Sequence, residues 1–301
     1  MLKMYRSNTT QIGGSPEFWE ENWVGEDPQS QLRFCEVDPL RPVFERYTQA
    51  GTVMLEGGCG MGQYVFYYAA RGVRVVGLDF AGRTLARIHE RCPNLMLCAG
   101  DVAALPFGDN LFDTYYSGGV VEHFEGGVKS ALHEARRVLR PGGTLLISVP
   151  YFSPLRRLLS LRRDEWKTVF VAQVDGVTNA DNRRFFQYAY TPAEFKKLLA
   201  RLGFRVLSTQ GYAVIWGMYE IPLIGRALSS VKYSKSRETD VQGSKNPDGS
   251  LGRDSGMRSL IRRLAVSEDD SVPVLGMGVR MLRWACANMM MYVCTRGELG
   301  D

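Results

Sequence analysis

Histidine is scarce in this chain: three in 301 residues, at positions 89, 123 and 133. That leaves little material for a histidine-rich metal centre. The six cysteines (Cys35, Cys59, Cys92, Cys98, Cys286, Cys294) include no C-x-x-C pair. This removes the usual zinc and dithiol patterns and reads as buried thiols in a reducing compartment. No stretch comes near the roughly 18 uncharged apolar residues of a spanning helix. Lys3 and Arg6 stand near the start with no apolar segment of signal-peptide type behind them. The expectation from these absences is a cytoplasmic protein. Charge of one sign is not stacked in any block either. The net charge of +5 is spread along the chain, so no nucleic-acid partner is expected. Internal repeats are absent, and nothing in the composition specifies an oligomeric state. What remains is an ordinary globular composition, 45% hydrophobic, long enough for one large domain or for a domain with a sizeable insertion.

The most informative segment is 53–62, Val-Met-Leu-Glu-Gly-Gly-Cys-Gly-Met-Gly. An apolar run ends in an acidic residue, and glycines follow at alternate positions 58, 60 and 62. Strand, tight turn and helix start are the natural reading, with backbone that must approach a ligand closely. The spacing is E-x-G-x-G-x-G, not the G-x-G-x-x-G of dinucleotide folds. A carboxylate at the strand end would repel a pyrophosphate and attract a cation. A cofactor bearing an ammonium group and no phosphates fits better than NAD.

Strands are expected at 53–56, 73–79, 95–99, 112–117 and 144–150, with helices at 63–71, 83–92 and 127–138 between them. This alternation predicts a doubly wound, mostly parallel α/β sheet covered on both faces. Residues 1–15 are polar and read as mobile; 16–50 carry aromatic anchors and read as one or two helices. After Pro150 the rhythm breaks into an irregular stretch over 151–190, rich in Arg and aromatics. Thr191-Pro192-Ala193-Glu194 opens a helix over 191–202, strand six starts at 204, and the last strand covers 289–295. The expected organisation is an N-terminal helical lid segment (1–50), a cofactor-binding core (51–150), a substrate-side segment with strand six (151–210), an α-helical and loop insertion or cap (211–288, with a flexible loop near 234–256), and a last strand with the C-terminus (289–301).

Residues 55–62 resemble the first motif of the class I S-adenosylmethionine (SAM)-dependent methyltransferases, of the type 11-like kind. Further motifs follow in order: Val-Gly-Leu-Asp-Phe ending at 80, Ala-Gly-Asp-Val at 99–102 leading to Leu105-Pro106-Phe107, Ser-Gly-Gly-Val-Val-Glu-His at 117–123, and Arg-Val-Leu-Arg-Pro-Gly-Gly at 137–143. The resemblance covers about 52–150. It implies a seven-stranded Rossmann-like methyltransferase fold, with the insertion before the last strand, and SAM as cofactor. It assigns cofactor contacts to Glu56, Gly58, Gly60, Gly62, Asp79 (ribose hydroxyls), Phe80 (one adenine face), Asp101 and Val102 (adenine edge), Ser117 and Gly118 (methionine part).

The implied reaction is an in-line methyl transfer to O, N or C, which asks mainly for positioning. A base helps only if the acceptor must lose a proton. His123 is the first candidate, because imidazole titrates near neutrality; Glu122 and Tyr151 stand beside it at strand ends. A histidine in this place also serves as a cap or packs, so both readings stay open. No carboxylate cluster for a divalent ion follows strand four, so no metal is expected. No N/D-P-P-Y/F segment stands there either, which lowers the odds of nucleic-acid base methylation. The acceptor is expected to be a small molecule, apolar or lipid-linked, under a cap formed by 211–288. Basic amphipathic stretches at 257–266 and 275–287 suit either that cap or peripheral contact with a membrane. Trp19 and Trp23 suit a lid over the cofactor or plain core anchors. Alternatives are an RNA or protein methyltransferase, and a non-catalytic SAM-binding scaffold.

Overall fold

The computed structural model describes residues 1–7, 15–24, 32, 35–162, 166–168, 183–221 and 273–297. The expected loop at 234–256 and the amphipathic stretch at 257–266 lie outside them.

In chain order the elements are β1 (Leu2–Ser7), α1 (Pro16–Asn22), α2 (Arg41–Tyr47), β2 (Val53–Gly57), α3 (Gln63–Ala69), β3 (Arg74–Asp79), α4 (Gly82–Arg91), β4 (Met96–Ala99) and β5 (Phe112–Gly118). Then follow α5 (Lys129–Val138), β6 (Leu139–Pro150), α6 (Pro154–Ser160), β7 (Trp166–Thr168), β8 (Arg183–Ala189), α7 (Pro192–Arg201), β9 (Phe204–Tyr212), α8 (Val214–Met218), α9 (Pro273–Cys286) and β10 (Met289–Arg296).

Seven strands form the main sheet in the order β4-β3-β2-β5-β6-β10-β9. The pairs from β4 to β6 are parallel, and β10 runs antiparallel between β6 and β9. The chain leaves β2 toward β3 and β4, then returns to β5 on the other side of β2. Ligands of such sheets bind at this switch point, beyond the carboxyl ends of the strands. Central strands are covered on both faces: Met54, Leu55, Leu145, Leu146 and Ile147 have no exposed surface. That explains why they read as continuous apolar runs rather than alternating ones. Helix α7 is built as its sequence announces, with Pro192 in the first turn and Thr191 and Glu194 capping each other reciprocally.

Three expectations need correction. Residues 2–7 are not mobile: β1 is the middle strand of a second, three-stranded antiparallel sheet, β7-β1-β8. Leu2 has no exposed surface and Lys3 is buried too, its Nζ 2.8 Å from a Glu125 carboxylate oxygen and near the rings of Tyr5, Phe185 and Tyr188. The polarity of 8–15 hid the apolar Met-Leu-Lys-Met-Tyr start when the segment was averaged. Nor is 151–190 irregular throughout, because it supplies α6, β7 and β8. The segment 1–50 is therefore a strand as well as helices. Finally, β6 begins at Leu139, which pairs with Phe112, so the Pro141-Gly142-Gly143 turn lies inside the strand as an irregularity of register.

Candidate active site

The glycine loop leaves β2 with Gly58, Gly60 and Gly62 all at positive φ (78°, 51° and 70°). Side chains rarely tolerate that region, which is why glycine recurs there. Gly62 is also the left-handed residue that starts α3. A Cβ at Gly58 would stand 2.3 Å from Val120 Cγ2, so the Val120 side chain of the loop after β5 packs directly on the bare Gly58 backbone.

Between these loops lies a cavity of about 250 Å³. Of the residues assigned to a cofactor, Gly58, Gly60, Asp79, Phe80, Asp101, Val102 and Gly118 line it. Asp79 ends β3 and is buried. Its Oδ2 accepts the Gly60 N–H at 2.8 Å and its Oδ1 accepts the Ala81 N–H at 2.9 Å. Each carboxylate oxygen keeps acceptor capacity for a hydroxyl of a ligand. Burial raises the Asp79 carboxyl above its ordinary value, against the pull of those N–H groups. Asp101 is exposed at the turn after β4, and its Oδ1 accepts the Ala103 N–H at 2.8 Å. Phe80 stands at the rim, 37% exposed.

Three of the assigned residues lie behind this wall. Gly62 sets the start of α3 and does not line the cavity. Glu56 is buried under the loop with Oε2 lacking a partner; burial drives its carboxyl well above the ordinary value. Ser117 is fully buried, and its Oγ has no partner.

Among the candidate catalytic residues, only His123 lines the cavity. It sits on the short 3₁₀ turn Val121–His123 after β5. Its Nδ1 lies 2.7 Å from the Phe186 carbonyl oxygen on β8. Only a protonated Nδ1 can donate to that carbonyl, so the neutral ring carries its lone pair on Nε2. Glu122 is 2% exposed and stands behind His123, with Oε1 3.9 Å from Nε2. Burial raises its carboxyl to about 8, although Arg156 pulls the other way. Glu122 is thus largely a neutral acid at pH 7, not the carboxylate expected of a base. Tyr151 is directed elsewhere: it is buried, and its hydroxyl donates to the Trp284 carbonyl at 3.2 Å. The reason is that α9 covers the end of β6, where Tyr151 stands.

The sequence left Trp19 and Trp23 open between lid and core. Both line the cavity, stacked at 6.4 Å, and Trp19 meets the His123 ring edge-on at 5.2 Å. Helix α1 is held there by polar links to α4, Arg83 N–H to Glu20 at 3.1 Å and Arg87 to the Trp23 carbonyl at 3.2 Å. Gly119, Val120 and Phe124 also line the cavity and were not singled out. Gly119 was legible as the second glycine of Ser-Gly-Gly. No local signal marks the Phe186 carbonyl, which arrives by long-range pairing of β8 with β1.

Comparison with known proteins agrees with this geometry. The family model described as a methyltransferase domain matches residues 55–147. A Mycolicibacterium smegmatis protein named "Probable S-adenosylmethionine-dependent methyltransferase" is 38% identical over 110 residues, 36% of this chain and 42% of that protein. A demethylmenaquinone methyltransferase of Renibacterium salmoninarum is 40% identical over 110 residues, 35% of this chain and 46% of that one. The matches thus span less than half the length of these curated relatives. In fold, the chain resembles a chain from the Haloferax volcanii complex of the Trm112 methyltransferase activator with a provisionally named methyltransferase. The TM-score is 0.53 at 13% identity, over 97% of this chain and 100% of that chain. Residues 55–147 thus match the methyltransferase domain family, and over that stretch the chain is similar to SAM-dependent methyltransferases.

Proposed function

We propose that the protein transfers a methyl group from SAM to a small, apolar acceptor. The observation that carries this reading is the composition of one cavity. Bare backbone at Gly58 and Gly60, the Asp79 carboxylate and the exposed Asp101 share it with an aromatic roof and one histidine. SAM, when bound, supplies a methyl group already activated on a sulfonium. The glycine backbone would leave room for its amino-acid part, Asp79 would accept from its ribose hydroxyls, and Phe80, Asp101 and Val102 would hold its adenine. Glu56 shapes the loop from beneath, and a bound cation nearby would favour its ionised form.

The protein's remaining task is to align the acceptor and exclude water. Trp19, Trp23 and Phe124 offer apolar and aromatic surface for that. His123 Nε2 is the acceptor for a proton if the nucleophile carries one, and the Phe186 carbonyl fixes the tautomer this needs. Tyr151 is not part of this reading. An apolar acceptor also accords with the R. salmoninarum relative, whose name specifies demethylmenaquinone.

A second face belongs to the same reading. Met277, Met281 and Trp284 project from α9 at helical spacing and are 58–65% exposed; Leu158 and Leu161 project beside α6, and α6 packs against α9. Arg157, Arg162 and Arg280 are exposed among them, and no acidic residue is exposed on α6 or α9 among the described residues. A face that is apolar and cationic suits the surface of an anionic bilayer. It is where a lipid-borne acceptor would be met.

The test is transfer of tritiated methyl from SAM in the presence of a total lipid extract. Label should enter the organic phase, and vesicles containing anionic lipid should co-sediment the protein. Label found instead in an RNA or protein fraction would overturn the acceptor assignment.

A further inference from the structure

A second cavity, of about 370 Å³, opens at the opposite edge of the main sheet. Strand β5 runs between the two, with Asp109 and Asn110 just before its start and Gly118 at its end. Seven residues of strand separate the edges by about 20 Å. The second cavity is walled by four arginines, Arg136, Arg137, Arg201 and Arg296, with Asp109 and Glu134 as its acidic residues.

The charges do not balance locally. Arg137 takes both acids: Nη1 donates to Asp109 at 2.9 Å, and Nε and Nη2 donate to Glu134 at 2.8 and 2.7 Å. Three guanidinium groups are then left without a carboxylate among the described residues. Arg136 has Nη2 on the Gly297 carbonyl at 2.7 Å, while its Nε is buried with no partner. Arg296 donates to the Asn110 side chain and the Leu139 carbonyl. Arg201 stands exposed in the last turn of α7. Burial and the neighbouring Arg296 pull Arg136 below its ordinary value. Like charges gathered in a cleft cost free energy unless an anion joins them, and a buried N–H without a partner is uncommon in folded proteins. Guanidinium forks match phosphate oxygens in geometry and charge.

We propose that this cleft, walled by Arg136, Arg201 and Arg296, binds the phosphate groups of a phosphorylated small molecule at a site separate from the methyltransferase cavity. The site stands on residues the methyl-transfer reading does not use, so either can fail alone.

The test is calorimetric titration of the full chain with inorganic pyrophosphate, with sodium chloride at matched ionic strength as control. Saturable one-to-one binding is expected. Arg296→Gln should weaken it about tenfold or more, the loss of a hydrogen bond to a charged group. Arg201→Gln, at an exposed helix end, should weaken it while leaving the melting temperature unchanged, so a folding defect cannot mimic the result. Asp79→Asn should leave pyrophosphate binding intact. Absence of binding, equal heats with chloride alone, or full affinity in the Arg136→Gln/Arg201→Gln/Arg296→Gln variant would overturn the proposal. Binding of a short RNA oligonucleotide without binding of pyrophosphate would overturn it equally.

Discussion

Asp79 carries two duties at once. It ties the glycine loop to β3 through the Gly60 N–H, and it presents its remaining acceptor capacity to the cavity. Asp79→Asn keeps the shape and one acceptor oxygen but removes the charge and turns the other oxygen into a donor. SAM affinity should fall about tenfold or more, measured by calorimetry. Gly58 is constrained by φ and by contact together. Gly58→Ala should cost about 2–3 kcal/mol in urea unfolding, the sum of left-handed strain and the clash with Val120. Glu122 gives a pH test. Its folded value, about 8, lies above that of the unfolded chain, so the folded state holds a proton the unfolded state releases. Its contribution is fully present below the ordinary carboxylate value and is lost as pH rises through about 8. Wild type should therefore lose stability relative to Glu122→Gln between about pH 5 and 8, with no further change above. Parallel stability curves for the two proteins would show that Glu122 is ionised throughout.

At the scale of elements, helix α1 brings Trp19 and Trp23 to the wall of the cavity. Trp23→Ala removes the ring that stands 3.0 Å from where a Gly60 Cβ would be. It should raise the KM for SAM more than it lowers kcat; a fall in kcat alone would make Trp23 an acceptor contact instead. The central strands were legible because each is a short apolar run closed by Gly, Asp or Pro, and the glycine loop because three positive-φ positions at alternate places favour glycine over any side chain. Glu56 and Ser117 were assigned by motif, and such assignment does not say which face of a strand points inward. Both point into the protein. Tyr151 stands away from the cavity for a similar reason. It ends β6 at the expected edge, but a helix from more than 120 residues later covers it. The β7-β1-β8 sheet was not legible at all. Its strands pair residues 2–7 with 166–168 and 183–189, and only the fold brings such distant segments together. That sheet nonetheless sets the His123 tautomer, through one backbone carbonyl.

Across the whole molecule the main sheet has two working edges. The carboxyl edge holds the glycine loop, Asp79 and His123; the other holds the arginine cleft. Met277, Met281 and Trp284 on α9 stand exposed, and the proposed contact with an anionic surface rests on them. Met281→Asp/Trp284→Asp should abolish sedimentation with anionic vesicles and leave SAM affinity unchanged. All of this presupposes that the cavity between the glycine loop and the β5 loop is built for SAM. The most direct test is calorimetric titration of the full chain with S-adenosylhomocysteine, the demethylated cofactor. The account predicts one-to-one binding, weakened at least about tenfold by Asp79→Asn. No binding by wild type, or equal affinity in wild type and Asp79→Asn, would contradict it.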